Sequence, residues 1–109
     1  MECKFIDSSG DLEKALRSND RLTILFYASW CPFSQRFLPD FLEHAKASDQ
    51  CFMRVVMDDK DDLVRKYAIE VYPTVLFFEK GKVVRRLDGV AGRGLDESRL
   101  TEFITSCGV

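Results

Sequence analysis

The chain has 109 residues, with 16 Lys plus Arg against 18 Asp plus Glu for a formal charge of −2, and 46% of its residues are hydrophobic and 12% aromatic. That length closes one hydrophobic core rather than two, so a single domain over residues 1–109 is expected. No basic excess exists to neutralise a phosphate backbone or an anionic leaflet, which argues against nucleic-acid and membrane partners.

Short β-rich runs alternate with helical patterns from one end to the other, with no repeat and no linker-like tract. Residues 3–7 read as a first strand. Ser8, Ser9 and Asp11 then offer caps for a helix whose Leu12, Ala15 and Leu16 share one face. Residues 22–28 are apolar at successive positions, the pattern of a central strand covered by helices on both sides. A helix is expected to start at Pro32, where a missing N–H does no harm, because Phe33, Phe37, Leu38, Phe41, Leu42 and Ala45 recur at helical spacing. Pro39 falls inside that helix and should kink it. Residues 52–57 form the next strand, 61–67 a short helix with an acidic first turn, and 75–79 a strand that Lys80-Gly81 joins to 82–87 as an antiparallel hairpin. Residues 98–106, with Leu100, Phe103 and Ile104 on one face, close the chain as a helix. The order βαβαβαββα predicts a three-layer α/β domain.

The chemistry concentrates at Cys31. A cysteine that follows a buried strand and opens a helix faces several backbone N–H groups and the positive end of the helix dipole, which predicts an exposed, nucleophilic thiolate. Pro32 and Phe33 leave the surface beside it apolar, and Ser34 sets a hydroxyl on the sulfur's face of the helix. That hydroxyl can donate a hydrogen bond to the thiolate but cannot attack a mixed disulfide. The bland alternative for Cys31 is a packed structural thiol.

The remaining polar clusters read as structural. His44 lies on the same predicted helix roughly 20 Å from Cys31 at about 1.5 Å per residue, which excludes a Cys–His dyad. Asp58, Asp59, Asp61 and Asp62 lack the glycine and terminal glutamate of a calcium loop and suit a solvated helix start. The four cysteines, Cys3, Cys31, Cys51 and Cys107, show neither a CxxC pair nor zinc-ligand spacing, so no metal is expected. Cys3 and Cys51 each begin a predicted strand and are expected as reduced, partly buried thiols, while Cys107 is expected to be exposed. Residues 1–6 lack the pattern of a secretion signal and no run approaches the ~20 apolar residues of a membrane span, so a cytoplasmic location is the expectation.

The run Phe26-Tyr27-Ala28-Ser29-Trp30-Cys31-Pro32-Phe33-Ser34, followed by Pro39, resembles the thioredoxin signature F-x-A-x-W-C-x-x-C with its kinked helix. Val71-Tyr72-Pro73-Thr74 looks like the cis-proline segment of that family, Phe77 to Gly81 like its hairpin, and Gly89-Val90-Ala91-Gly92 like its glycine-containing loop. The resemblance covers the whole chain and implies a thioredoxin fold, a central mixed β-sheet of about five strands flanked by helices. It also implies a redox role in disulfide exchange, with Cys31 and Ser34 at the reactive positions. Trp30, Pro32, Phe33, Tyr72, Pro73, Val90, Ala91 and Gly92 are the implied substrate-binding residues. Trp30 is expected to pack on the sheet end and shield the sulfur, and the backbone of Tyr72 to pair with an extended substrate segment. Pro73 is implied to be cis, against the plainer reading of a turn before a strand.

Two departures stand out. Ser34 replaces the resolving cysteine, and Leu25 stands where the family usually carries a buried acid. A monothiol CxxS exchange protein of the oxidoreductase or isomerase class follows, whose partners are disulfide-containing or glutathionylated proteins and low-molecular-weight thiols. No resident cofactor is required, an external thiol such as glutathione serves as co-substrate, and a monomer is expected. The rival readings are a non-catalytic client-binding module, a glutaredoxin-like iron-sulfur carrier, and a dithiol thioredoxin whose resolving cysteine has been changed to serine. Arg93, beside Gly92, is read as a solvated loop residue rather than an anion contact.

Overall fold

Seven successive residues that are almost wholly apolar can be buried only in the middle of a sheet covered on both faces, and the strand over Arg21–Tyr27 occupies that place. The computed structural model describes residues 3–108; Met1, Glu2 and Val109, which the expected domain span includes, lie outside the described residues. The elements in chain order are β1 (Lys4–Phe5), α1 (Ser9–Ser18), β2 (Arg21–Tyr27), α2 (Pro32–Ala47), β3 (Phe52–Val56), α3 (Asp61–Lys66), β4 (Thr74–Glu79), β5 (Lys82–Leu87) and α4 (Glu97–Cys107). They build one five-stranded sheet of order β1-β3-β2-β4-β5. β1, β3 and β2 run parallel, whereas β4 and β5 are antiparallel to their neighbours, so the sheet is mixed.

The alternation of side chains along β2 divides the interior into two cores. Leu22, Ile24 and Phe26 point to one face, where Leu12, Ala15 and Leu16 of α1 and Leu63 of α3 cover them. Leu25 and Tyr27 point to the other, against Phe37, Phe41 and Ala45 of α2 and Leu100 and Phe103 of α4. The helices begin where local chemistry favours it. Ser8 caps α1 by accepting from the Asp11 N–H at 3.1 Å, and Asp96 caps α4 by accepting from the Arg99 N–H at 2.9 Å. Helix α2 opens instead with Pro32 and has Cys31 at its cap position, with no side-chain capping bond. Lys80 and Gly81 both adopt positive φ, as a two-residue hairpin turn requires.

The register accounts for Cys3 and Cys51 as the free, partly buried thiols expected, and the packing of α4 changes the expectation for Cys107. β1 pairs Lys4 with Met53, which sets Cys3 level with Phe52. Cys3 then packs on the α2–α4 side of the sheet, while Cys51 packs on the α1–α3 side. Opposite faces keep the two thiols apart as free cysteines. Cys107 is buried rather than exposed, because the end of α4 is drawn onto the sheet beside Phe77. Arg21 fastens that end by donating from Nη2 to the Cys107 carbonyl at 2.5 Å, with its guanidinium 5.2 Å from the centroid of the Phe77 ring. The first strand is also shorter than the sequence predicts, since the chain turns into the Ser8 cap soon after Phe5.

Phe41 ties α2 to the sheet: it is fully buried, with ring centroids 5.5 Å from Phe52 and 6.4 Å from Phe37. Phe41→Ala should cost about 3–5 kcal/mol, from lost transfer energy plus the residual cavity. Urea unfolding of the two proteins measures it, and a loss under about 1 kcal/mol would mean that α2 does not depend on this contact.

Candidate active site

Cys31 lies at the C-terminal edge of the sheet, in the short connection between β2 and α2. Its amide donates to the Ala28 carbonyl at 3.3 Å and its carbonyl accepts from the Gln35 amide at 3.0 Å, so the residue is fixed on both sides. The sulfur stands 4.0 Å from the carbonyl oxygen of Tyr72. The Tyr72–Pro73 bond is cis, and Pro73 is buried at the start of β4. Cys31 itself keeps 7% exposure, so the sulfur is more recessed than the sequence predicts.

The connection before Cys31 is held by Gln35 and by Asp58, the latter expected only as part of a solvated helix start. Asp58, just past β3, accepts the Ser29 amide at 3.0 Å on Oδ1 and the Ser29 hydroxyl on Oδ2. Gln35 returns from α2 to donate to the Ser29 carbonyl at 2.7 Å. These bonds hold the Asp58 carboxyl below its ordinary range, the Ser29 hydroxyl being the largest cause and the Ser29 amide the next. Asp58 is therefore separated by function from the acidic run in which the sequence places it. Asp62, in that same run, instead accepts from Ser9 of α1.

Ser34 is fully buried, and its Oγ accepts from the Ala28 amide at 3.3 Å. The hydroxyl thus braces the end of β2, a contact distinct from the expected donation to the thiolate. Leu25 is fully buried between Arg54 of β3 and Val75 of β4 in register. Trp30 corrects another expectation. It is 69% exposed and, rather than packing on the sheet end, meets Tyr72 edge-on with centroids 6.1 Å apart. The aromatic pair forms a rim on the surface at the site, its faces open to contact.

The 89–94 loop joins the site through two glycines, Gly89 and Gly94, neither of them among the implied substrate-binding residues. A Cβ on Gly89 would lie 2.5 Å from the Pro73 carbonyl oxygen and 3.3 Å from the Tyr72 carbonyl carbon. Gly94, at φ +74, leaves room for Phe33, whose Cβ would be 2.6 Å from a Cβ there. Between them Val90 and Gly94 exchange hydrogen bonds of 2.9 and 2.7 Å, which presents Ala91 and Gly92 on the outside. Pro32 is exposed and Phe33 half-buried, so the implied substrate-binding residues, including Val90, are brought around one edge of the molecule. The signal for Gly94 was local: a third glycine in six residues at a loop facing the helix start. His44, by contrast, sits far along α2 and contacts Thr101 of α4 at 3.3 Å.

The comparisons with known proteins agree with this arrangement. The thioredoxin family model matches residues 5–106. The chain belongs to the thioredoxin family. It is 36% identical over 80 residues to thioredoxin H4 of Arabidopsis thaliana, covering 72% of this chain and 67% of that one. To the thioredoxin of Geodia cydonium it is 34% identical over 103 residues, 92% of this chain and 93% of the other. Among solved structures, the thioredoxin of Fasciola hepatica superposes with a TM-score of 0.82 at 27% identity, covering 94% of this chain and 97% of that one. The fold is the thioredoxin fold, and the family is one of thiol–disulfide oxidoreductases. No helix among the described residues is long and apolar enough to cross a membrane.

Burial disfavours the thiolate form of the other three cysteines. It pushes the Cys3 thiol up to about 11, against the opposing effect of Arg54, and it raises Cys51 and Cys107 as well. At pH 7 Cys3 is then about one part in ten thousand thiolate. Alkylation followed per cysteine by mass spectrometry should modify Cys31 first and leave these three lagging; a faster Cys51 or Cys107 would displace Cys31 as the reactive group. Asp58 generates a second expectation with a defined sign. Because its folded value is depressed, its contribution is present above about pH 3.9, the ordinary unfolded value, and is lost as the pH falls below that through the folded value. The stability difference between wild type and Asp58→Ala should accordingly be constant from pH 5 to 7 and shrink on acidification, as urea titrations at each pH would record.

Proposed function

We propose that the protein carries out monothiol thiol–disulfide exchange, with Cys31 as the nucleophile. The observation that carries the reading is a single sulfur held at the start of α2, 4.0 Å from the Tyr72 carbonyl, with a buried serine three residues on. In the forward step the Cys31 thiolate attacks one sulfur of a client disulfide. A bond forms between Cys31 and that sulfur, the client S–S bond breaks, and the second client sulfur leaves with the electron pair and takes a proton.

The chain's residues then divide the work. The Tyr72 backbone, beside the sulfur, pairs with an extended client segment, and Trp30, Tyr72, Pro32 and Phe33 give that segment an apolar rim. Ser34 holds the end of β2, and so the position of Cys31, by accepting from the Ala28 amide. A hydroxyl is too weakly acidic to resolve the mixed disulfide. Resolution falls to a second client thiol or to an external thiol such as glutathione, whose attack returns Cys31 to the thiolate. Reduction of glutathionylated partners and isomerisation both fit this scheme, since neither needs an internal second cysteine. Leu25 leaves the core beneath the site without a buried carboxyl to move a proton.

The same features support one further reading, a module that holds clients as long-lived mixed disulfides. Wild type, Ser34→Cys and Cys31→Ser distinguish the two in insulin reduction and in trapped-adduct mass spectrometry. Wild type should accumulate the adduct and reduce insulin slowly, Ser34→Cys should turn over faster because a resolving thiol now lies in reach, and Cys31→Ser should form no adduct. An adduct that persists under millimolar glutathione would favour the holding module. Rapid wild-type turnover with no adduct would overturn the monothiol mechanism.

A further inference from the structure

A cavity of about 390 Å³ opens between α2, the 89–94 loop and α4, with Phe33, two residues past Cys31, as one wall. Three arginines from three separate elements converge on it: Arg36 from α2, Arg93 from the loop and Arg99 from α4. Far apart in sequence, they read singly as solvated side chains. The fold sets them around one opening in a protein whose net charge is −2. Arg36 is already ordered there, its guanidinium lying 5.3 Å from the centroid of the Phe33 ring and donating from Nη2 to the Arg93 carbonyl at 2.9 Å.

Two other arginines have carboxylate partners, Arg21 with Glu79 and Arg86 with Asp88. Among the described residues none of these three forms an ion pair. The single acid lining the cavity, Asp96, spends Oδ1 on capping the Arg99 amide. Three exposed guanidinium groups around one opening, each able to take a carboxylate in a two-pronged bond, make a positive cleft of the kind that captures anions. Their spread over three elements suits several carboxylates along a chain better than one compact anion.

We propose that this cleft binds an acidic peptide segment of the client, next to the disulfide that Cys31 attacks. The inference rests on the exchange reading for its purpose but not for its test. An extended segment advances about 3.3 Å per residue, so side chains a few positions from the client cysteine reach past Phe33 to the arginines. Client choice then has two parts: the apolar rim and Tyr72 backbone hold the cysteine, and the cleft selects for negative flanking residues and speeds encounter with them.

The test separates binding from chemistry. A fluorescent, cysteine-free peptide rich in Asp and Glu, and its Asn/Gln counterpart of equal length, are titrated into Cys31→Ser protein and followed by anisotropy. The acidic peptide should bind at least about tenfold more tightly, an advantage that 0.5 M salt removes and that Arg93→Gln/Arg99→Gln reduces to the level of the neutral peptide. Equal binding of the two peptides, or an acidic preference unchanged in the double variant, would overturn the proposal. So would oxidised glutathione binding through the arginines while the acidic peptide does not. In parallel, disulfide-linked versions of both peptides react with wild type. Faster adduct formation with the acidic one supports the proposal, and acidic binding without any Cys31 adduct supports the cleft while refuting the exchange reading.

Discussion

A strand buried on both faces is the constraint from which the rest of the molecule follows. β2 can satisfy its apolar side chains only with helices above and below, and its backbone only with a strand on each side. β3 and β4 supply the hydrogen bonds; α1 and α3 cover one face and α2 and α4 the other. The chain must leave such a strand at the sheet's edge and turn immediately into α2. Cys31 occupies that turn, where the first helical amides have no partners of their own and the cap residue contributes none from its side chain. Cys31 is placed by the same geometry that closes the core.

Everything else at the site works by restricting that turn. Asp58 and Gln35 grip Ser29 from opposite sides, Ser34 braces Ala28 from beneath, and the Tyr72 carbonyl faces the sulfur across the gap. Two glycines allow the 89–94 loop to press against Pro73 and Phe33, which a methyl group at either position would prevent. The polar contacts are individually modest, yet they fix a short segment from several directions, which is how a catalytic atom is held within a fraction of an ångström. The departures from the family pattern fall in this same small volume. In the proposed exchange, Ser34 and Leu25 in place of a thiol and an acid change what can happen after the first bond forms, while the scaffold that presents Cys31 stays intact.

Charge is distributed on a different principle. The acids near β3 and α3 serve as anchors to Ser29 and Ser9, whereas the three arginines around Phe33 form no ion pairs among the described residues. A mildly acidic protein thereby keeps a locally positive cleft at Phe33, two residues past Cys31. In the proposed exchange, the apolar rim and the positive cleft offer a client two kinds of recognition.

Periodicity and end signals alone determined most of the architecture. The two-faced apolar run of β2, Pro32 at a helix start, the Ser8 cap and the Lys80-Gly81 turn each reflect local physics that neighbouring residues express without help from the rest of the chain. The place of Cys31 was legible for the same reason, since it stands between a strand and a helix. Tertiary structure decided what depends on register and on packing between distant segments. Cys3 and Cys51 part because one pairing offset sends them to opposite faces, Cys107 is buried because Arg21 pulls the end of α4 down, and Trp30 turns outward onto Tyr72. Asp58 and the arginine cleft were equally invisible in sequence, where a clamp and a solvated charge look alike. A side chain's partner lies elsewhere along the chain, and only the folded sheet brings the two together.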